Sequence, residues 1–371
     1  MRILVFNWRD PRNPLAGGAE IHLHEILKRA VAAGHSVVQV SHAVKGLPAS
    51  ETIDGVEILR HGSWFSFNLT LPRYCKALDP DGFDLIVEDL CKLPFYSPKW
   101  TTTPVLVIVP HLFGTTAYRE VPFPQALYVN ILERFIPSVY SACPFVAISD
   151  STKLDLIRRG ISRERIDVVP CGIDTDFYSP SSEISPEPGR LLFVGRLKRY
   201  KGVQFLLSAI AVLLESGRNI RLTVLGSGSY GEELRKISAS LGLSGIVEFP
   251  GFVSQEEKLT LLRRAWIAVF PSEKEGWGLT VIEANCCGTP VIASNSDGLR
   301  DSIRDRETGI LVPHGDITAL AGAIAEVLDK PTLREELSEN AVKWGRNFSW
   351  DSTGKRMIEL MERAAGRYLP P

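Results

Sequence analysis

Residues 271–294 read PSEKEGWGLTVIEANCCGTPVIAS, and the fold class follows from how this stretch is divided. The apolar run Ile267–Phe270 ahead of it predicts a buried strand. Glu275, Gly276, Trp277 and Gly278 read as a loop, Leu279–Cys286 as a helix and Val291–Ala293 as the next strand. Glu275 then stands in the loop, with Glu283 about one turn inside the helix. The amides of Gly278, Leu279 and Thr280 point out of the helix start, where partial positive charge favours an anion such as a diphosphate. Two carboxylates beside such a site suit neutral hydroxyls, those of a ribose and a sugar. A helix-start carboxylate and a surface glutamate are the bland alternative, and the Gly-Trp-Gly spacing argues against it.

The same rhythm extends outward from this stretch. Leu191–Val194, Ile220–Leu225 and Val247–Phe249 read as strands, with helices at Val203–Glu215, Glu232–Leu241 and Lys258–Arg264. Towards the amino terminus, Ile3–Phe6, Val37–Val40, Val56–Leu59, Leu85–Val87, Val105–Val109 and Pro144–Ile148 are strand candidates. Ile21–Ala33 is helical and stopped by Gly34. Apolar runs of this kind suit parallel strands covered on both faces. YSPSSEISPEPG at 178–189 reads as a linker. The expectation is an α/β protein of two doubly wound, parallel-sheet, Rossmann-like domains facing a central cleft. The domains run over 1–180 and 190–345, and ligands sit beyond the carboxyl ends of the strands.

Length and composition agree with this. At roughly 150 residues per domain, 371 residues make about two domains. The net charge of −1 excludes a bulk polyanion binder, so no nucleic-acid partner is expected. None of the six cysteines has C-x-x-C spacing, which argues against a zinc ribbon and for reduced thiols in a cytoplasmic protein. No stretch reaches the roughly 20 apolar residues of a spanning helix, and MRILVFNWRD reads as a first strand rather than a signal peptide.

Three further motifs carry chemistry. Gly17 and Gly18 precede the first helix, either as a tight turn or as a place where a ligand meets the backbone. Gly226, Gly228 and Gly231 spell a dinucleotide fingerprint, with Glu248 twenty residues past Gly228 at the next strand's end. Read alone, this suggests an NAD-dependent oxidoreductase, although it sits on the second strand of its unit. Arg196 and Lys201 follow the first strand of that unit and can converge on one anionic group, unless the loop is merely solvated.

Together these residues resemble the retaining glycosyltransferases of family 4, with the GT-B architecture. The resemblance covers nearly the whole chain. It includes GGAE at 17–20, AISDSTKLDLIRRG at 147–160, VVPCGIDTDFYSP at 168–180 and FVGRLKRYKG at 193–202. It continues through LTVLGSGS at 222–229, FPGFV at 249–253, the Glu275/Glu283 pair and TGILVPHGD at 308–316.

The resemblance implies that Arg196 and Lys201 bind the donor diphosphate, Glu275 the transferred sugar and Glu283 the ribose. Gly276, Trp277, Gly278, Leu279 and Thr280 hold phosphates and sugar, while Gly226, Gly228, Phe252 and Val253 line the base pocket. Gly17 and Gly18 approach the diphosphate. His111 takes the place of the active-site histidine, followed by Leu112 where many relatives carry Asp or Asn. It also implies that the final segment, 346–371, crosses back to the first domain. The implied activity is transfer of a hexose from a UDP- or GDP-sugar, UDP-glucose slightly favoured, to an acceptor hydroxyl in glycan, glycolipid or exopolysaccharide synthesis. No cofactor and no metal are expected.

The acceptor is expected on the amino-terminal side. Segment 112–145 carries Phe113, Tyr118, Phe123, Tyr128, Phe135 and Tyr140. Core and interdomain packing is the favoured reading of these aromatics. A peripheral surface at the inner face of the membrane, serving a lipid-linked or saccharide acceptor, is the alternative. A nucleotide-sugar epimerase and a non-catalytic nucleotide-sugar binder are the remaining classes.

Overall fold

The computed structural model describes residues 1–78, 82–114, 118 and 122–366. The chain forms two compact units, Met1–Gly172 with Trp350–Pro371, and Ile173–Ser349.

Among the described residues the first unit holds an eight-stranded sheet. Its strands are β1 (Arg2–Phe6), β2 (Ser36–His42), β3 (Ser50–Ile53), β4 (Val56–His61), β5 (Leu85–Asp89), β6 (Val105–Val109), β7 (Phe145–Ala147) and β8 (Ile166–Val168). They lie in the order β3-β4-β2-β1-β5-β6-β7-β8, parallel except for β3. Along β1, Ile3 and Val5 enter one core and Leu4 and Phe6 the other, which is why the strand reads as an unbroken apolar run. The antiparallel edge strand β3 is a finding beyond the sequence reading. Asp54 and Gly55 both take positive φ (49° and 80°), the conformation a two-residue hairpin requires.

Helix Gly18–Ala32 covers one face of this sheet together with helix Trp350–Ala364 from the end of the chain. Leu23, Ile26 and Leu27 of the first share a core with Met357, Leu360 and Met361 of the second, and Arg29 pairs with Asp351 at 2.9 Å. The chain leaves this unit at Gly172 and re-enters at Trp350. The two points are so close that a Cβ on Gly172 would lie 2.6 Å from the Trp350 Cα. Of the segment expected to cross back, residues 367–371 lie outside the described residues.

The second unit holds β9 (Arg190–Val194), β10 (Arg221–Leu225), β11 (Val247–Gly251), β12 (Ile267–Phe270), β13 (Val291–Ser294) and β14 (Gly309–Val312). All are parallel, in the order β11-β10-β9-β12-β13-β14. The order reverses between β9 and β12. The loops after those two strands therefore part to opposite faces and leave a crevice at the carboxyl edge. The Pro/Ser/Glu-rich stretch belongs to this unit. Arg263 Nε donates to the Ser179 carbonyl (2.8 Å) and the Glu187 amide to the Arg264 carbonyl (2.9 Å).

Core packing of the aromatics in 112–145 holds for Tyr140 but not for Tyr118, Phe123, Tyr128 and Phe135, which are 40, 67, 46 and 52% exposed. Residues 115–117 and 119–121 of that segment lie outside the described residues. Helix Phe123–Arg134 is inverted relative to an ordinary surface helix. Its buried side is Ala126 and Glu133, whereas Phe123, Leu127, Ile131 and Phe135, four residues apart, face out. The charge inside is used: the Glu133 carboxylate accepts from the amides of Phe113 (2.7 Å) and Gly114 (2.9 Å) and from Arg159 (3.1 Å).

His22 lies fully buried on helix Gly18–Ala32 with neither ring nitrogen hydrogen-bonded among the described residues, and burial pushes its pKa down to about 4. Between pH 6.5 and 4 the unfolded chain takes up a proton that the folded one refuses, so stability falls as pH drops through that window. Equilibrium urea unfolding should show a loss of up to about 3 kcal/mol between pH 7 and 4 assignable to this group. In His22→Phe that part of the slope should vanish; an unchanged slope would refute the assignment.

Candidate active site

The second unit's site is built by backbones that touch. The turn after β9 and the turn after β10 are stitched together. The Gly195 amide donates to the Leu225 carbonyl (3.0 Å), Leu197 to Ser227 (2.9 Å) and Tyr230 to Leu197 (3.0 Å). At this distance there is no room for side chains. A Cβ on Gly226, whose φ is +128°, would sit 2.0 Å from the Gly195 carbonyl oxygen, and one on Gly228 2.3 Å from that of Leu197. The third fingerprint residue, Gly231, meets only the flexible Leu197 Cδ1 at 3.2 Å. The glycine pattern is thus accounted for by loop-on-loop packing. Glu248 lies near the amino end of β11, not at its carboxyl end, so it is on the wrong edge for a ribose and the NAD reading loses its acidic partner.

The same stitching joins the loop after β12 to those after β9 and β13. Glu273 donates its amide to the Tyr200 carbonyl (2.8 Å) and Glu275 to that of Asp297 (2.9 Å). A Cβ on Gly202 would lie 2.0 Å from the Pro271 oxygen, and one on Gly298 2.3 Å from that of Glu275. The crevice at the strand-order reversal therefore brings Lys201 and Glu275 together, with Lys201 Nζ 2.5 Å from Glu275 Oε1 and both largely buried. Arg196, on the same turn, is exposed, its guanidinium 3.4 Å from the Tyr200 hydroxyl.

Gly278 caps helix Leu279–Cys286 with φ +83°. The Val281 amide is engaged by the Gly278 carbonyl (2.9 Å), so those of Leu279 and Thr280 lie ahead of the helical ladder. Trp277 is buried against Phe348, ring centroids 5.1 Å apart, and anchors the loop that carries Gly276 and Gly278. The Gly226 amide donates to the Gly251 carbonyl (2.8 Å), which sets the next residue, Phe252, beside the glycine turn. Phe252 is 89% exposed and Val253 half-buried.

Glu283, inside the helix, is held by a residue the sequence reading did not single out. Lys258 Nζ lies 2.9 Å from Glu283 Oε1, and both side chains are mostly buried. Tyr178 lies beneath the ammonium, 5.0 Å from its ring centre. Burial, then the charge of Glu283, raises the Tyr178 phenol far above its ordinary value. Lys258 sits among the polar residues of QEEKLTLLRR, where nothing marks one lysine as special.

In the first unit, Gly17 precedes helix Gly18–Ala32 in extended conformation, and its amide donates to Glu20 Oε2 (2.8 Å). Glu20 Oε1 accepts from Lys92 (2.9 Å). Burial raises the pKa of Glu20, but the Lys92 charge and bonds outweigh it and the net direction is down. Alongside, Asn7 Nδ2 donates to Asp89 Oδ2 (2.9 Å). Asp89 is fully buried, and burial with the Glu20 charge lifts its carboxyl well above the carboxylate range. These groups mark that unit's own strand-order reversal, between β1 and β5. Sequence reasoning quoted Glu20 without a role and passed over Lys92 and Asp89. His111 lies just past β6, half-buried and edge-on to Phe113 (5.3 Å). Among the described residues no cluster of three His, Cys, Asp or Glu side chains is placed to hold a metal.

Comparison with known proteins gives the chain its relatives. Residues 16–177 match the family described as Glycosyltransferase Family 4, and residues 174–344 match Glycosyl transferases group 1. A D-inositol 3-phosphate glycosyltransferase of Catenulispora acidiphila is 33% identical over 94% of this chain and 90% of its own length. Other relatives of that description align over about half their length. Among solved structures, sucrose-phosphate synthase from Thermosynechococcus elongatus superposes with a TM-score of 0.82 at 24% identity, over 99% of this chain and all of that one. Anabaena HepE in complex with UDP gives 0.77 at 19%, over 98% of this chain and all of that one.

The two glycines separate the packing account from a fingerprint. Gly226→Ala should lose roughly 2 kcal/mol or more of unfolding free energy, from overpacking plus the positive φ. Gly231→Ala should stay within about 1 kcal/mol, since one side-chain methyl can give way. Chemical denaturation of both variants checks this, and equal losses would refute it.

Proposed function

The chain belongs to the group 1 glycosyltransferases of family 4, a GT-B fold, and on that premise we propose that it transfers a hexose, with retention at the anomeric carbon, from a nucleoside diphosphate sugar to an acceptor hydroxyl. The observation that carries this is the convergence of Lys201, Glu275 and the start of helix Leu279–Cys286 at the second unit's strand-order reversal, with Arg196 on the adjoining turn.

In the proposed step the bond from the anomeric carbon to the diphosphate oxygen breaks, and a bond to the acceptor oxygen forms on the same face. The acceptor's proton passes to the departing diphosphate. Arg196, Lys201 and the amides of Leu279 and Thr280 meet the charge that develops on the leaving group, so neither a dedicated base nor a metal is required. Glu275 takes a sugar hydroxyl and Glu283 the ribose. Phe252 offers its exposed ring to the base beside Gly226, Gly228 and Val253. Gly17, Gly18 and His111 serve the reaction from the first unit. HepE is solved with UDP-glucose, which supports UDP-glucose as the first donor to try.

Thermal-shift screening against UDP, GDP, their sugars and NADH tests the class. A nucleoside diphosphate should stabilise the protein by about 2.7 kcal/mol at a hundredfold excess over Kd, and NADH should not. Arg196→Ala and Glu275→Ala should each lower kcat/KM for transfer or donor hydrolysis by about a hundredfold or more while both variants remain folded. Near-normal turnover in both would remove the site assignment.

For the acceptor we propose a lipid-linked substrate met at an anionic membrane surface, through the outward stripe Phe123, Leu127, Ile131 and Phe135. An apolar stripe this long is ordinarily covered. Arg134 is exposed on the helix and Arg159, paired with its Glu133, lies alongside, which supports acidic headgroups as what covers it. A groove of about 470 Å³ alongside is lined by Tyr118, Leu127, Ile131, Arg134, Pro137 and Arg159. Among the described residues no helix is long and apolar enough to cross a membrane, so the contact is peripheral. The protein should float with phosphatidylglycerol-containing vesicles, less with purely zwitterionic ones, and the double variant Phe123→Asp, Ile131→Asp should not float. Failure of the unaltered protein to bind either vesicle would exclude the membrane reading.

A further inference from the structure

Resting on the donor-site reading above, in which Glu283 receives the ribose, we propose that Lys258 is the residue that positions the Glu283 carboxylate. Three observations meet here. Lys258 Nζ is 2.9 Å from Glu283 Oε1, and the two side chains are only 15 and 13% exposed. The ammonium is itself fixed from below, 5.0 Å over the ring of Tyr178, whose hydroxyl donates to Gln255 Oε1 at 3.0 Å, one turn before Lys258 on helix Gln255–Arg264. The second oxygen, Oε2, is turned into the protein and accepts no hydrogen bond among the described residues. On this reading Oε1 is the oxygen left for a ribose, and Lys258, with Tyr178 acting on the same carboxylate, fixes where it stands.

Desolvating two charges to this degree is costly, and a pair kept only for stability is often replaceable by apolar groups of the same volume. A pair that sets one oxygen against a ligand is not replaceable in that way. Oε1 has lone pairs enough to accept from Lys258 and from a ribose hydroxyl together. The negative charge of the carboxylate strengthens the hydrogen bond it accepts. Lys258 does not itself touch the reacting atoms; it acts through Glu283.

The test reads binding, so it needs no acceptor. Titration calorimetry on the full chain compares the tighter binder of UDP and GDP with its 2′,3′-dideoxy analogue. The unaltered protein should prefer the intact ribose by about tenfold or more, the worth of a hydrogen bond to a charged group. Lys258→Met, which leaves a buried carboxylate unpaired and so lowers stability, should weaken only the intact nucleotide and shrink the preference to about threefold or less. Lys258→Arg, which keeps the charge, should restore most of it. If Lys258→Met weakens both ligands alike or neither, the positioning role is wrong. If Lys258→Met fails to fold, full preference in a folded Lys258→Gln variant overturns the proposal equally. Glu283→Ala distinguishes the layers. Should that variant keep the full ribose preference, the reading of Glu283 falls first and the role of Lys258 falls with it.

Discussion

The second unit depends on a shortage of space between backbones. Four turns at the carboxyl edge of its sheet approach so closely that Gly202, Gly226, Gly228 and Gly298 could not carry a Cβ without striking a carbonyl oxygen. Hydrogen bonds between those same turns hold them at that spacing. A charged loop would ordinarily sample many shapes and lose entropy on meeting a ligand. Here Lys201 and Glu275 stand on turns that their neighbours already fix. The shape of the crevice proposed for a diphosphate is thus written mainly in residues that have no side chain.

The charges obey the same economy. Both carboxylates of the crevice are matched by a lysine, Glu275 by Lys201 and Glu283 by Lys258. An empty site with two unpaired, half-buried carboxylates would repel a diphosphate and strain the fold. With each one paired, the site is near neutral, and the remaining positive character comes from Arg196 and the helix start. The first unit repeats the scheme at its own strand-order reversal, where Lys92 neutralises Glu20 while Asp89 is lifted towards its neutral form.

Much of this was legible in the sequence, for identifiable reasons. Strands buried on both faces, such as VLVIV at 105–109, are unbroken apolar runs and declare themselves. The doubly wound class followed from their alternation with helices, and the family from the resemblance carried by motifs such as GGAE at 17–20 and FVGRLKRYKG at 193–202. The polar edge strand SETI carries little apolar signal, so only its Asp-Gly turn could have betrayed it. The inverted helix Phe123–Arg134 has the periodicity of any amphipathic helix, and periodicity does not say which side faces in. What reversed it is the demand of two backbone amides for the Glu133 carboxylate. The dinucleotide fingerprint misled because glycines spaced for a ligand and glycines spaced for a neighbouring loop are written alike. Lys258 was hidden because its partner lies 25 residues away on another helix.

The meeting of Gly172 with Trp350 has a consequence of another kind. Within the first unit these two residues abut, and within the second Ile173 bonds Phe348, its amide 2.8 Å from that carbonyl. Each unit's two cut ends are thus already neighbours. In the topology of the chain the second unit is inserted into the first at one point, with both seams side by side. Such a splice can be undone or refilled. A gene joining codon 172 directly to codon 350 would encode the first unit alone, and another domain with equally close ends could take the vacant place. The arrangement offers a lineage the means to exchange one unit while leaving the backbone of the other uninterrupted.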